Sequence, residues 1–186
     1  MQSQIRKKVL QDQERSYQAG KVLHKDNQYL FYDDVLDDVQ LLEYVVEEEM
    51  EILVNLEWQK GMWKGAGKVH LPFGNYDLKE GDFIRLKKDL PYALNKMLEA
   101  IPDETFLKLV QQLNSWGFSV YDCIYNYNQL LFMEKKTFKK GVSFYQFDNE
   151  ESVCALQHHF ERGMRNKDRF EFTTSRGKQS VISVFY

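Results

Sequence analysis

Arg169-Phe170-Glu171-Phe172-Thr173-Thr174-Ser175-Arg176-Gly177-Lys178-Gln179-Ser180-Val181-Ile182-Ser183-Val184-Phe185 reads as two alternating strands, Arg169 to Thr174 and Gln179 to Phe185, joined over Ser175-Arg176-Gly177-Lys178. Alternation of Phe170 with Phe172, and of Val181, Ser183 and Phe185, predicts a sheet with one buried face. Upstream, Val142 to Phe147 reads as a further strand. Asp148-Asn149-Glu150-Glu151 resembles a capping box and predicts a helix carrying Val153, Leu156 and Phe160 inward. Phe118 to Tyr127 and Leu130 to Met133 read as a hairpin over Asn126 to Gln129. Before them, Leu94, Met97, Leu98 and Ile101, then Phe106, Leu109, Val110 and Leu113, lie at helical spacing, with Asp103 as candidate N-cap of the second helix and Gly117 at its end. Residues 91–186 therefore read as an α+β region with helices packed on an antiparallel sheet.

Residues 21–90 change character. Short apolar clusters alternate with turn residues such as Lys25-Asp26-Asn27, and glycines 61, 65, 67, 74 and 81 punctuate them, which predicts small antiparallel strands and an SH3-like barrel. Val39 to Met50 fits either a helical face or a strand. Residues 2–18 predict one amphipathic helix, with a thin stripe of Ile5, Val9 and Leu10 and Gly20 at its end, so residues 1–20 form a lightly packed N-terminal helix. No Pro/Ser linker separates the halves around residue 90, and docked halves are expected.

Charge is strongly segregated. Between Lys25 and Lys60 stand eleven acidic residues and no Lys or Arg, so a net charge of −3 divides into a segment at −11 and a remainder at +8. Asp33, Asp34, Asp37, Asp38, Glu47, Glu48 and Glu49 are the candidate surface for a basic protein partner. The Asp33-Asp34-Val35-Leu36-Asp37-Asp38 spacing resembles the magnesium-diphosphate motif of prenyl synthases. Those enzymes are larger, all-helical and carry a second copy, which this chain lacks, so a solvated acidic face is the favoured reading. Trp58, Lys60, Trp63, Lys64, Lys68 and Arg85 form an alternative, a nucleic-acid face of interleaved aromatic and basic residues. The −11 segment beside it would repel phosphate. Cys154, His158 and Glu161 on the predicted helix offer a third alternative, a thiol or metal site, although zinc needs a second ligand pair that is not visible. Lys135-Lys136 and Lys139-Lys140 around Thr137-Phe138, with Arg165, Lys167, Arg169, Arg176 and Lys178, form an anion or partner surface if they are more than solvated charge.

No nucleotide-loop, dinucleotide, zincin or nucleophile-elbow string occurs, so no cofactor is expected and a non-enzymatic role is favoured. With no apolar run of about 18 residues and two cysteines that read as reduced, a cytoplasmic protein with no membrane partner is expected. Ser119-Val120-Tyr121-Asp122-Cys123-Ile124-Tyr125, Phe147-Asp148-Asn149-Glu150-Glu151-Ser152 and Gln157-His158-His159-Phe160 resemble an uncharacterised family of small cytoplasmic proteins of Bacillus-like bacteria. That resemblance implies a bacterial cytoplasmic setting and brings no activity whose residues could be carried over.

Overall fold

Helix α1 (Gln4–Gln11) ends well before the predicted residue 18, residues 2 and 3 of the predicted helix lying outside the described residues, and the chain enters strand β1 (Tyr17–Lys25) with Gly20 inside it rather than at a helix end. A Cβ at Gly20 would collide with the Tyr32 carbonyl oxygen and the Phe31 ring, so the glycine serves close strand packing. This computed structural model describes residues 4–133 and 135–186. It divides into two compact units, Tyr17–Lys88 and the chain through Ser16 together with Asp89–Tyr186.

In the first unit β1 turns through Asp26 and Asn27, both at positive φ (52° and 63°), into β2 (Gln28–Asp33), the geometry of a two-residue hairpin that matches strand twist. Strand β3 (Asp38–Leu41) follows, then a single helical turn α2 (Leu42–Val45), then β4 (Glu49–Val54) and β5 (Glu57–Trp63), joined by Asn55 and Leu56 at positive φ. The ambiguous 39–50 stretch is thus strand, turn and strand in succession. Strands β6 (Lys68–Leu71), β7 (Gly74–Asp77) and β8 (Phe83–Lys87) complete an antiparallel sheet of order β3-β2-β1-β8-β4-β5-β6-β7. The SH3-like barrel is not formed: β3 and β7 stand at opposite ends of the order and never pair. Val22, Phe31, Leu42, Ile52, Leu71 and Ile84 fill the core on one face.

In the second unit, helices α3 (Tyr92–Ala100) and α4 (Asp103–Ser115) form at the predicted positions. Pro102, not Asp103, takes the N-cap position of α4, and the Asp103 carboxylate pairs with Arg6. A five-stranded antiparallel sheet follows: β9 (Cys123–Tyr127), β10 (Lys139–Asp148), β11 (Val153–Arg162), β12 (Lys167–Thr174) and β13 (Gln179–Phe185), in order β13-β12-β11-β10-β9. The predicted hairpin over 126–129 is absent, because Gln129–Phe132 winds into a 3₁₀ turn and β9 pairs with β10 instead.

The predicted helix after Asp148 is also overturned. Asp148 accepts from Glu150 N (2.8 Å) and Asn149 from Ser152 N (2.9 Å), so these side chains build a hairpin turn, with Glu150 at φ 70°. Cys154, Leu156, His158 and Phe160 then alternate inward along β11. The 169–185 hairpin is present, but β13 presents the other parity. Ile182 faces Phe170 across the ladder while Val181 and Phe185 are 56% and 68% exposed. Turn length fixes strand parity, and a shift of one residue exchanges the two faces. Helices α3 and α4 cover the inner face, packing Leu94, Leu98, Phe106 and Leu109 onto Tyr145, Phe147, Leu156 and Phe172. The α+β class stands. Among the described residues no helix is long and apolar enough to cross a membrane.

Candidate functional site

The acidic segment starts at one end of the eight-stranded sheet, in the β2–β3 turn and the edge strand β3, and runs through α2 to the entry of β4, an interior strand of the same sheet. Its carboxylates do different work. Asp33 is only 4% exposed and accepts from Gln18 Nε2 (2.7 Å), Val35 N (2.9 Å) and Leu36 N (3.1 Å), so it builds the turn. Burial alone would raise its pKa, but these hydrogen bonds prevail and hold it below the ordinary carboxylate value. Asp37 accepts from Tyr32 OH (3.1 Å), and Asp38 from its neighbour Val39 N and from Gln40. Glu49 pairs with Lys60 (2.6 Å) and Glu51 with Arg85. Asp34, Glu43, Glu47 and Glu48 are exposed with no ion pair among the described residues. Between them Val35, Leu36 and Tyr44 stand 75%, 68% and 82% exposed, a feature the charge reading overlooked although those residues interrupt the acidic run. The diphosphate-like motif does not converge: it straddles a strand and a turn rather than a helix, with Asp33 turned inward. Among the described residues no group of three or more His, Cys, Asp or Glu is placed to hold a metal.

The structure splits the aromatic and basic set. Trp58 and Trp63, five apart on β5, lie on opposite faces, and Trp63 packs against the core. The Arg85 guanidinium lies over both the Tyr17 and Trp58 rings (4.3 and 4.5 Å) and pairs with Glu51, while Lys60 is held by Glu49. Lys64 and Lys68 sit exposed at the end of the β5–β6 connection. The charges nearest Trp58 are therefore already compensated within the sheet.

Cys154, His158 and Glu161 are likewise separated. On a strand, four residues span about 13 Å, so Cys154 and His158 share the buried face without touching, and Glu161 points to the other face, where it pairs with Lys140 (2.9 Å). His158 instead meets Asp168 of β12, which the reading of 148–160 as helix concealed. His158 Nε2 lies 2.6 Å from Asp168 Oδ1, both side chains fully buried, and the imidazole stacks on Phe170 at 4.4 Å. Arg162 Nη2 donates to the same Asp168 oxygen (2.6 Å) and Nη1 to the Glu161 and Lys167 carbonyls, while Tyr186 OH donates to Asp168 Oδ2 (2.8 Å). Burial lowers the His158 pKa against the pull of Asp168, and Arg162 supplies the positive charge that Asp168 needs. Neutral His158 is thus a donor to an ionised, arginine-paired Asp168, and the group ties two strands together inside the core.

Burial pushes the Cys154 thiol up to about 11 and the Cys123 thiol to about 12. Both are unbridged. Native protein at pH 8 is expected to resist iodoacetamide at Cys154 until unfolded, since the thiolate is the nucleophile. Labelling as fast as that of a denatured control, followed by mass spectrometry, would contradict this placement.

Comparison with known proteins agrees with the resemblance read from the sequence. An uncharacterised protein of Bacillus subtilis (strain 168), YisN, is 36% identical over 183 residues, which cover 95% of this chain and 90% of the relative. No solved structure matches the chain. Residues 4–184 match the family described as "Protein of unknown function (DUF2777)", and the chain belongs to that family.

Proposed function

We propose that the protein is a non-enzymatic cytoplasmic interaction module whose acidic sheet edge receives a basic partner segment. The observation that carries this reading is β3. It is the end strand of the sheet, its Asp38, Val39 and Gln40 are exposed, and it is bracketed by exposed Val35, Leu36 and Tyr44 among carboxylates. An edge strand offers unpaired backbone groups to an added strand. Acidic side chains along it disfavour a second acidic edge and favour a lysine- or arginine-bearing one, so the same charges select the partner. Unbridged Cys123 and Cys154 support a reducing compartment.

The test is affinity capture by the full chain from host lysate, with and without nuclease, compared with a variant carrying Asp34→Asn, Glu47→Gln and Glu48→Gln. Asp33 is left intact because it builds the turn. A nuclease-resistant protein should be retained by the parent, lost as salt rises, and retained about tenfold less by the variant. An identical captured set for the parent and the variant would sink the reading, and so would partners that disappear on nuclease treatment.

A further inference from the structure

The basic residues of 135–140 and 162–167 are brought to one end of the five-stranded sheet because Lys139 pairs with Arg162 across β10 and β11. There Lys136, Lys139, Arg162, Phe138, Leu130 and Met164 line a groove of about 870 Å³, with Ala100, Thr137, Gly163 and Asn166 completing its wall. Among the described residues no carboxylate lines it. Arg162 is compensated by buried Asp168 behind it, whereas Lys136 and Lys139 have no ion pair among the described residues. Phe138 lies against Gly163, where a Cβ would come within 3.0 Å of the ring, so the glycine lets the two loops meet and form a shared apolar wall. Phe138 is 61% exposed and Met164 fully exposed.

We propose that this groove binds a phosphomonoester carrying an apolar body, the phosphate between Lys136 and Lys139 and the body against Phe138, Leu130 and Met164. A phosphomonoester carries a charge of about −1.5 to −2 at pH 7, which matches two ammonium groups that have no ion pair among the described residues. Lysine contributes as a point charge without the planar geometry that arginine would impose. A carboxylate would satisfy only half of that charge, and a bare phosphate would leave the apolar wall in water. The ligand chemistry could come from a lipid headgroup or from a soluble monophosphate. This inference rests on no part of the acidic-edge reading, and either can fail alone.

Calorimetric titration of the full chain with dihexanoyl phosphatidic acid, with adenosine monophosphate and with inorganic phosphate separates the cases. Saturable binding of at least one organic monophosphate, tighter than that of inorganic phosphate, is expected. A preference for the lipid assigns the headgroup source, and one for the nucleotide assigns the soluble source. Lys136→Gln and Lys139→Gln should each weaken binding about tenfold, the scale of one charged hydrogen bond. Phe138→Ala should remove the preference over inorganic phosphate while sparing the thermal midpoint. The proposal is overturned if none of the three binds saturably, if inorganic phosphate binds as tightly as the organic ligands, or if the lysine variants bind like the parent.

Discussion

Asp168→Ala is expected to destabilise the protein by about 3–5 kcal/mol, the cost of removing one member of a buried charge pair and stranding the other. The thermal midpoint should fall by about 10 °C, given about 2–4 °C per kcal/mol for a chain of this size. Asp168 is fully buried and accepts from His158, Arg162 and Tyr186. Its loss leaves a guanidinium with 15% side-chain exposure without its carboxylate. His158→Phe should cost less, because a ring at that position keeps the stack on Phe170 and leaves Asp168 with Arg162 and Tyr186.

The pH dependence of stability discriminates between the two groups. Burial holds folded His158 below its ordinary value of 6.5, so beneath that pH the unfolded chain binds more protons and stability declines. For Asp168, burial opposes ionisation but the His158 and Arg162 contacts prevail, keeping its pKa below 3.8. Its contribution is present above that value and disappears as pH falls through the lowered one. Urea midpoints taken from pH 7.5 down to about 3 should therefore show two declines, and His158→Phe should abolish the upper one and, by removing one of the contacts that lower Asp168, shrink the lower one. If the upper decline survives in the variant, or Asp168→Ala costs under about 1 kcal/mol, the network is not the lock described here.

What was legible in the sequence was local. The helices at 92–115 and the last hairpin declare themselves because their apolar periods and turn residues lie within a few residues of one another. The 153–162 strand was misread because Val153, Leu156 and Phe160 satisfy a helical period while Cys154, Leu156, His158 and Phe160 satisfy a period of two. Length could not arbitrate, and an Asp-Asn-Glu-Glu turn imitates a cap. That single error hid the buried network, since His158 and Asp168 share a face only when both segments are strands. The acidic segment was legible as charge but not as architecture. Asp33 is distinguished from Asp34 by Gln18, fifteen residues earlier, through a contact that exists only once β1 and β2 pair. The anion surface at 135–140 and 162–167 was visible as two separate runs, and the β10–β11 register is what joins them.

Arg6→Ala is expected to cost about 3 kcal/mol and to loosen α1 from the body, against the lightly packed helix that its thin stripe suggested. Ile5 is 58% exposed, and the inward residues of α1 are Arg6 and Leu10, at 6% and 7%. The Arg6 guanidinium donates to the Leu98 and Ile101 carbonyl oxygens at the end of α3 and to the Asp103 carboxylate at the start of α4, and lies 5.0 Å from the Phe106 ring centre. One planar fork thus satisfies carbonyls that a helix end leaves unpaired and places positive charge where the α3 dipole favours it. Arg6→Lys tests the geometry separately from the charge. An ammonium group cannot reach two carbonyls and a carboxylate with the same fixed spacing, so lysine should recover less than half of the loss. Urea unfolding measures both variants, and hydrogen exchange at the α1 amides should accelerate in Arg6→Ala before global unfolding does. A loss within about 0.5 kcal/mol, the range of an ordinary surface substitution, would return α1 to the status of a loosely attached helix. A full recovery by lysine would show that charge alone, rather than the fork, holds the α3–α4 corner.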